Sequence, residues 1–224
     1  MLKGRAENRF LILFIGILCL ILLSPLLGTT FRISLLIDFI YTFLFISCVF
    51  AVSSDRKYAI FSTLFALPFL MITWGSRFYT FPQPVVIAST FSGIIFIGSI
   101  MYMLFRHVLK QKRVNEEVIY GAIVVYLLMG IFCALCYGII NLLAPNGFYF
   151  GNEFIGDSRM RFIYFSYVTL TTLGYGDITP VAPVARSLAM LEAIIGQIYL
   201  VVMIAWLVGM NVSQSLGENK KQDM

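Results

Sequence analysis

Apolar residues along this chain fall into six long blocks separated by short polar or turn-forming segments. Blocks of roughly 17 to 25 apolar residues are long enough to cross the hydrocarbon core of a bilayer as helix. The pattern predicts spans at Phe10–Leu27, Ser34–Val52, Tyr58–Trp74, Val85–Phe105, Val118–Leu143 and Ser187–Met210. Ser24-Pro25 and Gly28 mark the first break, Asp55-Arg56-Lys57 the second, and Pro82-Gln83-Pro84 precedes the fourth span. The third span is short and carries Pro68, tolerable in a membrane helix where neighbours satisfy the freed carbonyl. The first follows Lys3, Arg5 and Arg9 as a signal peptide would, but Leu26-Leu27-Gly28-Thr29 is a poor cleavage site, so an uncleaved anchor is expected.

Between the fifth and sixth spans, Ala144–Arg186 departs from the pattern. Asp157 or Ser158 is placed to cap a short aromatic helix carrying Phe162, Tyr164, Phe165 and Tyr167 and ending near Thr171. That helix is too short to cross, and its end runs into Gly174, Gly176, Asp177, Thr179 and Pro180. Non-helical backbone at membrane depth is tolerated only where it is buried in protein or lines a water-filled path. The expected fold is therefore all-α integral membrane, with six transmembrane helices and a re-entrant half-helix between the fifth and sixth.

Composition agrees: 60% of residues are hydrophobic, 12% are charged, and the mean hydropathy is +0.91. A net charge of +5 would suggest nucleic acid in a soluble protein; here the basic residues sit in short loops, where they set orientation. With the N-terminus inside, Lys3, Arg5, Arg9, Arg56, Lys57, Arg106, Lys110, Lys112, Arg113, Lys220 and Lys221 are cytoplasmic. Only Arg32, Arg77, Arg159, Arg161 and Arg186 are external. That bias places both termini in the cytoplasm; the plasma membrane is the expected location, with no nucleic-acid partner. Cys19, Cys48, Cys133 and Cys136 all lie in apolar spans, and His107 is the single histidine. Cys133-x-x-Cys136 has metal or redox spacing but no second pair, so packing cysteines are expected, with no enzyme chemistry and no organic cofactor.

Thr171-Thr172-Leu173-Gly174-Tyr175-Gly176-Asp177 resembles the signature of the potassium channel superfamily. The resemblance implies a homotetramer in the lipid bilayer whose Thr172, Leu173, Gly174, Tyr175 and Gly176 form a filter for K+ ions. A dehydrated potassium ion needs a cage of oxygens, supplied by stacked backbone carbonyls from four chains. For those carbonyls to point one way, the backbone must alternate between ordinary and left-handed dihedrals, which Gly174 and Gly176 permit. The Thr172 hydroxyl adds an inner oxygen ring, Leu173 and Tyr175 point outward to brace the strand, and Asp177 bonds behind the filter. By the same resemblance Tyr164 and Phe165 stand where many relatives carry a tryptophan pair around the filter. Val168 stands where some carry a glutamate bonded to the external aspartate. Glu192 in the sixth span is expected to substitute from the other side or to meet the ion path. Asp38 is a second costly acid in a span, with Arg32 as its candidate partner.

Gly196 falls where many relatives place a hinge, and close packing is its other reading. Helical spacing puts Gln197, Leu200, Ile204 and Val208 on one stripe, with Gln197 at a water-filled cavity and Ile204 and Val208 at an apolar gate. Thr179 is expected to ring the outer mouth, and Trp74 and Trp206 to anchor at interfaces. The six-span layout matches voltage-gated relatives, yet Val85–Phe105 contains no basic residue where a sensor needs several. Three segments follow: 1–114 a four-span domain, 115–212 the pore domain, and 213–224 a short cytoplasmic tail. The compact layout points to a prokaryotic source. The reading is a passive potassium-selective pore, without an arginine-bearing sensor. The alternatives are the membrane subunit of a potassium uptake system with a separate regulatory protein, and a weakly selective cation channel.

Overall fold

The computed structural model describes residues 9–26, 31–52, 56–111, 113–151 and 158–222. They form seven helices and one short ribbon: α1 Arg9–Leu26, α2 Phe31–Val52, α3 Arg56–Gly75, α4 Gln83–Lys110, α5 Glu116–Leu143, β1 Phe148–Phe150, α6 Ser158–Leu170, β2 Ile178–Pro180 and α7 Pro183–Gln222. Among the described residues four helices are long and apolar enough to cross a membrane: α3 from Tyr58, α4, α5, and α7 as far as Leu216. α1 and α2 carry shorter apolar stretches, Arg9–Leu22 and Asp38–Phe50. Pro68 sits inside a continuous α3. The protein is thus a mainly helical membrane protein.

Local signals explain the ends that hydropathy misplaced. α4 begins at Gln83 because Pro82 and Pro84 need no helical donor in the first turn. It continues past Phe105 to place His107 and Lys110 in the last turn, where positive charge favours the helix dipole. α5 starts at Glu116, with the Asn115 side chain accepting from the Val118 amide at 3.0 Å and two glutamates in the first turn. α7 does not stop at Met210. It runs 40 residues, about 60 Å at 1.5 Å per residue, so the polar tail continues the helix through Gln222.

α5 is the hub, touching α1, α4, α6 and α7. α2 meets α3 and α4 through a stack of rings, with Phe45 4.5 Å from Phe96 and 5.3 Å from Phe69. The third cross-link is ionic. Asp38 is fully buried, and its Oδ2 lies 2.7 Å from Arg77 Nε just beyond the end of α3. Arg32, the partner expected from the sequence, has its side chain outside the described residues, and the turn after α3 brings in Arg77 from 39 positions away. Trp74 Nε1 donates to Thr42 Oγ1 at 2.9 Å beside this pair. Trp74 therefore sits at a helix end as an anchor would, tied to α2.

Removing one member of a buried ion pair leaves the other desolvated, at a cost of about 3–5 kcal/mol, against little loss when both are replaced by apolar groups. Arg77→Leu should thus lower the thermal midpoint clearly, and Asp38→Leu/Arg77→Leu should recover most of it. A double-mutant cycle from thermal unfolding in detergent measures the coupling; strict additivity would show the pair to be energetically idle.

Candidate functional site

α6 has 13 residues, about 20 Å, and stops inside the protein. The last four carbonyls of a helix have no partner within it, and here all four are met. Tyr167 O accepts from the Thr171 amide at 3.0 Å and its hydroxyl at 2.6 Å. Val168 O accepts from the Leu173 and Gly174 amides at 2.9 and 3.3 Å, and Thr169 O from the Thr172 amide at 3.0 Å. Leu170 O accepts from the Tyr126 hydroxyl of α5 at 3.2 Å. The 173→168 and 172→169 bonds are those of a Schellman cap, whose C′ residue takes a left-handed conformation. That residue is Thr172, at φ 59°.

Gly174 at φ 60° and Gly176 at φ 80° continue the alternation. Left-handed residues at 172, 174 and 176 separated by ordinary ones turn successive carbonyls toward one side of the strand. A β-carbon at Gly174 or Gly176 would meet nothing within 4 Å, so backbone conformation, not space, calls for glycine there. Thr172 adopts the same hand despite a β-carbon, strain that glycine reasoning overlooks.

The Tyr164 ring stacks on Tyr175 at 6.5 Å and 11°, and its hydroxyl donates to Asp177 Oδ2 at 2.6 Å. Asp177 Oδ1 accepts from the Ile178 amide at 3.0 Å. Phe165 does not share this role. One position along a helix is a rotation of about 100°, and Phe165 is turned into a cluster with Tyr137 at 4.9 Å and Phe148 at 5.6 Å. Leu173 and Tyr175 remain 56% and 66% exposed in the single chain, so their bracing is incomplete within it. The ribbon follows directly on this strand, with Thr179, half-buried, opposite Tyr149.

Glu192 is 2% exposed and does not reach Asp177. It accepts from the Tyr137 hydroxyl and from Ser166 Oγ, each at 2.5 Å. Ser166 also faces Gly130 O at 2.7 Å. Glu192 therefore joins α7 to α5 and to the middle of α6, behind the strand. Val168 is buried, and its carbonyl rather than its side chain serves the strand. Tyr126, Tyr137, Ser166 and the Tyr167 hydroxyl, which donates to Leu127 O at 2.7 Å, escape a hydropathy reading. Ser166, a small hydroxyl in the middle of the aromatic run from Phe162 to Tyr167, was the available signal.

Gly196 is a packing position. A β-carbon there would lie 2.7 Å from Leu170 Cδ1 and 2.9 Å from Leu170 O, and α7 runs through it unbroken. Gln197, Ile204 and Val208 are exposed in the single chain, while Leu200 is half-buried. Trp206 packs half-buried with Val108, Val118, Ala122 and Met203, where α4 ends and α5 begins. All four cysteines are free, and among the described residues no cluster suits a metal.

A family model described as an ion channel matches residues 121–212, from the first turns of α5 through most of α7. No curated protein and no solved structure matches the chain.

The two readings of Gly196 separate cleanly by mutation. Gly196→Ala should cost about 1–3 kcal/mol by overpacking against Leu170. Gly209→Ala, where a β-carbon would meet nothing within 4 Å, should gain up to about 1 kcal/mol of helix propensity. Thermal unfolding in detergent checks the pair; equal effects of the two substitutions would exclude the packing role.

Proposed function

We propose, on the premise that residues 121–212 are an ion-channel domain of the potassium channel superfamily, that four copies of this chain form a passive potassium-selective pore. The observation that carries this reading is the left-handed sequence at Thr172, Gly174 and Gly176, following directly on the capped end of a half-length helix. Backbone carbonyls turned to one side replace an ion's hydration shell only when several strands face one axis. One strand per chain calls for a closed ring of identical chains. The exposure of Leu173, Tyr175 and the apolar face of α7 supports such a neighbour. In this assembly Gln197, Leu200, Ile204 and Val208 line the inner pore, Thr179 stands at the outer mouth, and α1 and α2 complete six spans in the plasma membrane with both termini inside. K+ is the transported ion, and no covalent chemistry is involved.

Glu192 holds the angle of α6 and so acts on the filter from behind. The basic residues of α4 lie in its last turns, at Arg106, His107 and Lys110, and Val85–Phe105 has none. This supports gating without an arginine-bearing sensor. A potassium uptake subunit working with a separate regulatory protein and a weakly selective cation channel are the alternatives.

Purified protein in liposomes should pass K+ down its gradient and exclude Na+ with no added partner; equal Na+ flux, or flux only with a partner, would replace this reading by one of the alternatives. Gly176→Ala adds a β-carbon at positive φ, about 1–2 kcal/mol per chain, and should abolish selective flux while assembly persists. Wild-type selectivity in that variant would remove the filter assignment.

Opening should depend weakly on voltage, because moving one charge through the field supplies about 2.3 kcal/mol per 100 mV and α4 offers no embedded charge. Bilayer recordings in symmetric potassium test this; a steep sigmoid conductance–voltage curve would contradict it.

A further inference from the structure

A cavity of about 230 Å³ lies where α2, α3 and α4 meet α5 and α6. It is partly open to the surroundings and larger than the roughly 150 Å³ apolar cavity that takes up benzene or xenon. Its wall is mostly apolar, and no lining residue carries a formal charge. Phe162 and Ile163 of α6 form part of it.

Two glycines on α5 indicate what would fit. At Gly130 a β-carbon would lie 2.6 Å from the Tyr167 ring, so the notch left by that glycine holds an aromatic ring. Two turns later Gly138 lines the cavity, and a β-carbon there would meet nothing within 4 Å. This second notch is of the same kind, with no ring from the chain filling it. The hydroxyls around it narrow the chemistry. Ser76 donates to Thr73 O, and Ser89 and Thr90 both donate to Val86 O, each at 2.8 Å. The protons of these three hydroxyls are used locally, which leaves their lone pairs to accept from a guest, while Tyr41, Thr73 and Asn141 also line the wall.

We propose that this cavity binds a small uncharged amphiphile of the phenol class: one apolar ring seated at Gly138 and one hydroxyl donating to the Ser89–Thr90 edge. Such a guest touches α3 and α4 on one side and α6 on the other, so its occupancy links the N-terminal helices to the helix that carries the filter. That consequence rests on the channel reading; the binding itself does not.

The test uses the full-length protein in detergent micelles, with para-fluorophenol as probe and para-fluoroanisole, which has no donor, as control, both read by fluorine NMR line broadening. Wild type should broaden para-fluorophenol saturably, reversed by excess phenol. Gly138→Leu fills the notch and should weaken binding about tenfold or more, with thermal midpoint reporting that the fold persists. Thr90→Val keeps shape but removes the acceptor, and should weaken para-fluorophenol about fivefold while leaving para-fluoroanisole unchanged; it decides the matter should Gly138→Leu fail to fold. Absence of saturable binding, wild-type affinity in a folded Gly138→Leu, or equal losses for both probes in Thr90→Val would each overturn the proposal. Because no flux is measured, an empty cavity and a non-conducting protein are distinguishable failures.

Discussion

A helix that ends inside a membrane protein must place its last four carbonyls on donors from the protein itself, since the lipid supplies none. Everything that matters in the C-terminal half follows from how α6 meets that demand. Its chain turns back in a Schellman cap, and the cap requires a left-handed residue at Thr172. The first inverted step of the filter-like strand is therefore also the stop signal of the helix before it. Gly174 and Gly176 repeat the inversion where nothing but a free φ is needed. A strand built this way inherits its position from the helix end, so whatever fixes α6 also fixes the strand.

The fixing is done by α5 and α7. Tyrosine hydroxyls reach backbone carbonyls across the helix interfaces: Tyr126 to Leu170, Tyr167 to Leu127 and Tyr199 to Ala122. Phenols suit this task because their rings are at home in an apolar interface while the hydroxyl keeps a partner. Missing side chains at Gly130 and Gly196 let a ring and a helix end come close. Glu192 then ties α7, α5 and the centre of α6 through one buried carboxyl. A buried acid of this kind is costly unless bonded on both oxygens, and both are bonded here.

The N-terminal helices are built on different physics. Stacked phenylalanines join α2, α3 and α4, and the Asp38–Arg77 pair ties α2 to the turn after α3. Charge in this half is spent on holding helices together and on helix ends, as with His107 and Lys110 in α4. The half meets the C-terminal helices mainly along α4 and α5, and the cavity beside Gly138 interrupts the packing among these helices.

Hydropathy alone located the six long helices, and placed both ends of α1, α2, α3 and α5 within three residues, because a bilayer demands long apolar runs and the chain has little else. The order of residues from Thr171 to Asp177 likewise announced a glycine-dependent strand, since positive φ leaves few residue types to choose from. Helix ends were less legible: Asn115 and the prolines before α4 act through single hydrogen bonds and missing donors, and the polar tail after Met210 gives no hint that α7 runs on. Contacts between distant segments were out of reach. Arg77 reaches Asp38 from 39 positions away, Phe165 packs on Tyr137 and Phe148 while Tyr164 stacks on Tyr175, and Glu192 bonds to Ser166 and Tyr137. Each of these depends on how helices rotate and pack against one another, a choice made by the summed shape of many side chains. Local spacing sets which residues share a helix face, and only the tertiary structure decides what that face meets.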